Sequence, residues 1–187
     1  MLISKIASDN ILNTAFEWVN ERRQDYSANR DIWDLRIRWP EIRPHLQAQM
    51  LAGEYVFTPL IEIRLPDGGI EKRALWCAKD SLVLKSMAIV LGEHLDPVLF
   101  DRCFHIAGRG GAKAAVREVC ANLCPDRFVM KSDVKSYYAN IDHRILYDLL
   151  EQQISDPAVM RLVWQYLNRT VCYGENYREV TRGISLG

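Results

Sequence analysis

The sequence predicts an α/β fold of the α+β kind, in which a helix-rich first part carries one β-hairpin and leads into the start of a sheet of antiparallel strands. Three observations predict it. Apolar residues recur every three or four positions along several separate stretches, the mark of amphipathic helices. Between 55 and 77 the period changes to two around Pro66-Asp67-Gly68-Gly69, which is hairpin-turn chemistry. Finally, Phe128-Val129-Met130-Lys131-Ser132-Asp133-Val134 reads as an apolar strand that delivers one carboxylate to its end, ahead of a tight turn with Tyr137 and Tyr138 and a helix opened by Asp142. A carboxylate at a strand end suits a metal ion, because the scaffold fixes its position while the end stays open to substrate.

Taken in order, residues 11–25 place Leu12, Ala15, Phe16 and Val19 on one helical face. Residues 31–39 alternate Trp33, Leu35, Ile37 and Trp39 with charged residues, which predicts an extended segment. Its two Trp residues read as core anchors first and as base-stacking platforms second. Pro40 suits the first position of a helix through Ile42, Leu46 and Met50 that stops at Gly53. The hairpin follows, with Tyr55, Phe57, Ile61, Ile63 and Leu65 alternating on the way out. Arg64 lies on its outgoing strand and Lys72 and Arg73 on its return strand. These cations are either solvated or part of a basic hairpin that closes on phosphate.

Asp80 is expected to cap a helix over 81–93 that buries Val83, Leu84, Met87, Val90 and Leu91. Asp96-Pro97 starts a short helix, and the glycine-rich loop His105 to Lys113, carrying Arg109 and Lys113, runs into a helix over 112–123. Glycines permit close backbone approach and helix-start amides attract anions, but this loop is neither a Walker loop nor a dinucleotide fingerprint. Asp142 caps a helix over 143–154 with Ile145, Leu146, Leu149 and Leu150 inward, and His143 sits in its first turn. Tyr137 is expected in the core. Asp156-Pro157 starts a helix with Val159, Leu162, Val163, Tyr166 and Leu167, and 171–180 form a hairpin turning at Gly174-Glu175-Asn176.

At 187 residues, 49% hydrophobic and 26% charged, the chain can bury a sizeable core. Its formal net charge of +0 excludes a global polyanion signal, so a nucleic-acid site would be a local basic patch. The five cysteines include no Cys-x-x-Cys pair; Cys120 and Cys124 read as two buried small apolar residues on one helix, with a metal pair as the alternative. That usage fits a reducing cytoplasm. No apolar run reaches the roughly 20 residues that span a bilayer and the amino terminus is no signal peptide, so a soluble, cytoplasmic protein without membrane contact is expected.

Ser132-Asp133-Val134-Lys135-Ser136-Tyr137-Tyr138-Ala139-Asn140-Ile141-Asp142-His143 resembles the first palm motif of bacterial reverse transcriptases of the group II intron, retron and defence-associated lineages. Arg182-Gly183-Ile184-Ser185-Leu186-Gly187 resembles the start of the next palm motif. Asp67-Gly68 with Arg73-Ala74-Leu75 resembles the fingers hairpin, and Leu95-Asp96-Pro97 to Gly111 the region that closes the fingers. The resemblance runs along most of the chain in the right order. It implies fingers over 1–124 and the first part of a right-hand polymerase palm over 125–187, an incomplete fold that stops before a Tyr-Xaa-Asp-Asp turn and a thumb.

The resemblance implies an RNA-directed DNA polymerase that extends a DNA primer on an RNA template by two-metal phosphoryl transfer. Asp133, joined by the Val134 carbonyl, would hold Mg²⁺ or Mn²⁺. Arg73, with Lys72 or Arg64, would hold the triphosphate of the dNTP. Tyr138 would lie beneath the incoming sugar as a steric gate, and Gly183 would pass the templating base pair. Arg109 and Lys113 are candidates for template phosphate, balanced against a reading as solvated loop cations.

The chain departs from the family where Leu65 replaces a Lys before the Asp-Gly turn, where Ser81 and Lys85 stand for Arg and Gln, and where the 105–111 loop differs from that of the intron enzymes. It also contains no Asp-Asp pair, so the fragment alone is expected to be inactive, with the remaining metal ligands beyond Gly187. The alternatives are a non-catalytic RNA-binding or regulatory module and a palm-type enzyme with another nucleotidyl-transfer reaction.

Overall fold

A computed structural model describes residues 1–28, 30–64, 72–124, 126 and 128–184, leaving the side chains of Arg64, Lys72 and Arg73 outside the description. The elements run α1 (Leu2–Ile6), α2 (Asp9–Arg22), α3 (Asp31–Ile37), α4 (Trp39–Leu51), β1 (Leu60–Arg64), β2 (Lys72–Leu75), α5 (Ala78–Leu95), α6 (Gly111–Asn122), α7 (Tyr137–Asn140), α8 (His143–Glu151), α9 (Pro157–Leu167), β3 (Thr170–Tyr173) and β4 (Asn176–Glu179). The mixed α+β class expected from the sequence is the class observed. Two compact units form, residues 1–92 with 136–187 and residues 93–135.

In the larger unit the two hairpins share one sheet of order β2-β1-β3-β4. Each hairpin is antiparallel, with Ile61 opposite Leu75 in the first and Cys172 opposite Tyr177 in the second. The central pair is parallel, Leu60 against Val171 and Ile61 against Cys172. Gly174, at φ +58°, makes the tight return between β3 and β4, a conformation that costs a glycine little. The turn read at Pro66 to Gly69 lies outside the described residues. Ile3, Leu12, Ile32, Met50, Leu60, Leu82, Val159 and Leu167 are buried in the core.

Residues 31–37 are helical, not extended, and Trp39 opens the next helix. Ile32 and Leu35, three apart, are both buried, whereas Trp33 and Ile37 are exposed, so the burial follows the helical period. Trp39 is the core anchor, stacked on Phe16 with centroids 4.6 Å apart and donating from Nε1 to Asn13 Oδ1 at 3.1 Å. Trp33 is instead a surface ring under the Arg36 guanidinium, 4.7 Å from its centroid.

Asp80 does not cap from outside. The helix begins at Ala78 and Asp80 lies fully buried in its first turn. Its carboxylate accepts the Tyr55 hydroxyl at 2.5 Å, the Thr58 amide at 2.9 Å and the Thr58 hydroxyl at 2.5 Å, tying the approach to β1 onto α5. Asp142 and Asp156 do cap as expected, accepting from Arg144 and Ile145 and from Ala158 respectively. Asp156 also accepts the Ile3 amide at 2.9 Å, which anchors α1. Of the residues expected inward on α8, Ile145 and Leu149 are 63% and 56% exposed. α8 packs on α9, and its apolar stripe is wider than that contact.

The smaller unit holds a short 3₁₀ turn at Asp96–Val98, the 105–111 loop, α6 and residues 128–135. The strand expected at 128–134 is not formed: the segment has no regular secondary structure and no sheet partner among the described residues, and Phe128, Val129, Met130 and Val134 are exposed. A strand exists only through a neighbour that takes its N–H and C=O groups, and the four described strands pair with one another. Cys120 and Cys124 are exposed rather than buried: Cys120 lies on α6, which buries none of its residues, and Cys124 lies past its end.

Candidate functional site

The regular structure of the motif region lies in its second half, in α7 and α8. Ser136, in the left-handed region at φ +52°, turns the chain into the single-turn helix α7. Tyr137 is 55% exposed, not in the core as expected, and meets the half-exposed Tyr138 edge-on with centroids 5.4 Å apart. Against this turn lies the segment of the second motif. The Gly183 amide donates to Ile141 O at 2.8 Å and the Ile184 amide to Tyr138 O at 2.9 Å. A bridge between Asp142 and Arg182 continues the contact.

Gly183 is buried at φ +80°, and a Cβ there would meet Ala139 O at 2.8 Å. Its carbonyl oxygen receives His143 Nε2 at 2.8 Å and Arg169 Nη1 at 3.2 Å. His143 is only 4% exposed. Burial holds the Arg169 guanidinium below the ordinary arginine range, with Tyr166 opposing and Arg178 adding to that shift. Sequence reasoning placed His143 in a helical turn and gave Arg169 no role. The signal available for His143 was its position directly after the cap.

Asp133 and Val134 are exposed and belong to the smaller unit. Their oxygens are the hard donors that Mg²⁺ or Mn²⁺ prefers. Among the described residues, however, no group of three or more His, Cys, Asp or Glu is placed to hold a metal ion. The donor type fits the ion and the donor number does not, so the described residues do not by themselves make the site.

Arg64 stands opposite Lys72 across the first hairpin, and Ile63 opposite Arg73. Arg109 turns inward to its own loop, donating to Phe100 O at 2.7 Å and to Asp96 Oδ1 at 2.7 Å, with its side chain 17% exposed. Lys113 is exposed on the first turn of α6. Ser81 accepts from Arg23 Nη2 at 2.7 Å, so a cation at the C-terminal cap of α2 reaches the start of α5. Burial pushes the Cys77 thiol up, which disfavours the thiolate and makes it a poor nucleophile. Among the described residues no helix is long and apolar enough to cross a membrane.

No family model matches the chain. It is 23% identical over 154 residues to Protein YkfC of Escherichia coli (strain K12), an alignment covering 76% of this chain and 39% of that protein. Group II intron-encoded protein LtrA of Lactococcus lactis subsp. cremoris is 22% identical over 108 residues, which is 58% of this chain and 18% of LtrA. The chain therefore spans less than half the length of these curated relatives. What it has is a distant similarity to a group II intron-encoded protein.

Proposed function

We propose that residues 1–124 and 125–187 are the fingers and the first part of the palm of an RNA-directed DNA polymerase, whose whole form extends a DNA primer on an RNA template in the cytoplasm. The observation that carries this reading is the junction of Gly183 and Ile184 with the Tyr138 turn, which joins in space two motifs that lie apart in sequence. The distant similarity to LtrA supports the same direction. Tyr138 presents a half-exposed ring beside that junction, suited to meet the sugar of a dNTP. Arg73, Lys72 and Arg64 hold its triphosphate, and Asp133 with Val134 contributes part of a Mg²⁺ or Mn²⁺ site completed from outside this chain. Lys113, exposed on its helix, is the better placed of the two template-phosphate candidates, because Arg109 spends its donors on its own loop.

The test is primer extension by the longer reading frame containing this chain, with Asp133→Ala beside it. Template-dependent incorporation that disappears in the variant, while folding is retained, supports the reading. Undiminished synthesis by the variant sinks it. The 187-residue chain alone is expected to incorporate nothing.

A further inference from the structure

His143 is nearly fully buried, yet one of its ring nitrogens, Nδ1, has no hydrogen-bond partner among the described residues. An orphaned polar atom inside the fold costs stability, a cost that Leu or Phe in the same space would avoid. Packing therefore does not account for a histidine here. What distinguishes it is the contact from Nε2 to Gly183 O at 2.8 Å. A carbonyl oxygen only accepts, so Nε2 carries the hydrogen. Arg169, from the junction of α9 and β3, donates to the same oxygen at 3.2 Å. Two donors from two elements thus converge on one carbonyl, whose own residue donates its N–H to the Ile141 carbonyl and whose successor donates its N–H to that of Tyr138.

We propose that His143 is a positioning residue: with Arg169 it clamps the Gly183 carbonyl, and so holds the 182–184 segment against the Tyr138 turn and sets where the Tyr138 ring stands. The clamp stands on geometry alone; its consequence for the nucleotide sugar rests on the polymerase reading. His143→Leu removes the donor and keeps the bulk. His143→Gln keeps an N–H donor at about the reach of Nε2.

Hydrogen exchange on the 187-residue chain is the first arm. Gly183 and Ile184 amides are expected to exchange about tenfold faster in His143→Leu, with α9 amides unchanged and His143→Gln close to wild type. Equal protection in all three proteins overturns the clamp. Should His143→Leu not fold, the histidine tautomer read by nitrogen NMR in the wild-type chain decides: hydrogen on Nε2 supports the clamp and hydrogen on Nδ1 alone overturns it. The second arm uses the full-length protein. There His143→Leu is expected to raise use of ribonucleotides relative to deoxyribonucleotides, with His143→Gln restoring discrimination. An unchanged ratio in an active enzyme overturns the sugar role. A wild type without incorporation overturns the polymerase reading and leaves the clamp to the exchange data.

Discussion

A Cβ built on Gly183 would lie 2.9 Å from the carbonyl oxygen of Tyr138. That oxygen belongs to the backbone, which has little freedom to give way, and the φ of +80° is itself costly for a side-chain-bearing residue. Gly183→Ala is expected to lower stability by about 2 kcal/mol or more, read from urea unfolding. Gly174→Ala is the comparison, because at φ +58° its Cβ would meet nothing within 4 Å. It should cost about 1 kcal/mol, and equal costs at the two sites would refute the close approach.

Asp80 should be the most sensitive polar residue in the core. Asp80→Ala strands the hydroxyls of Tyr55 and Thr58 and the Thr58 amide, for an expected loss of about 3 kcal/mol or more. Burial, then the Asp80 charge, pushes the Tyr55 phenol above its ordinary value of 10.0. A folded value above the unfolded one means that this contribution to stability is fully present below pH 10.0 and is lost as the pH rises beyond it. Unfolding midpoints should fall in alkali for the wild type and fall less for Tyr55→Phe; parallel falls would exclude Tyr55 as the source.

Ser136 occupies the left-handed region without a glycine's freedom. Ser136→Gly is expected to change stability by no more than about 0.5 kcal/mol, the relief of strain offsetting the looser unfolded chain. Ser136→Val should cost about 1–2 kcal/mol, because a β-branched residue is least at ease there. Thermal unfolding of both variants checks the turn.

On α8 and α9 the same residue type should behave oppositely. Leu149→Lys, on an exposed face, is expected within about 0.5 kcal/mol of wild type, whereas Leu167→Ala, which opens the core, should cost about 2–5 kcal/mol. A large loss at Leu149 would mean that its face is covered in solution.

The helical stretches, both hairpins and the caps Asp142 and Asp156 were legible because each rests on groups a few residues apart. An aspartate before a helix meets amides two or three positions on, and the Gly174 turn closes over neighbours. Legibility failed where a local pattern fitted two answers. The alternation at 31–39 also satisfies a helix that buries Ile32 and Leu35, and an apolar run at 128–134 needs a neighbour that its own residues do not specify.

By itself, then, the sequence determined the mixed class, most element positions and the motif that singles out the region around Tyr138. The tertiary structure alone decided the parallel pairing of β1 with β3, the burial of Asp80 as a three-donor acceptor and the meeting of His143, Arg169 and Gly183. The physical reason is separation along the chain. Each of these joins groups at least fourteen residues apart, and most join groups much farther apart; such contacts form only once the core has fixed where the elements lie.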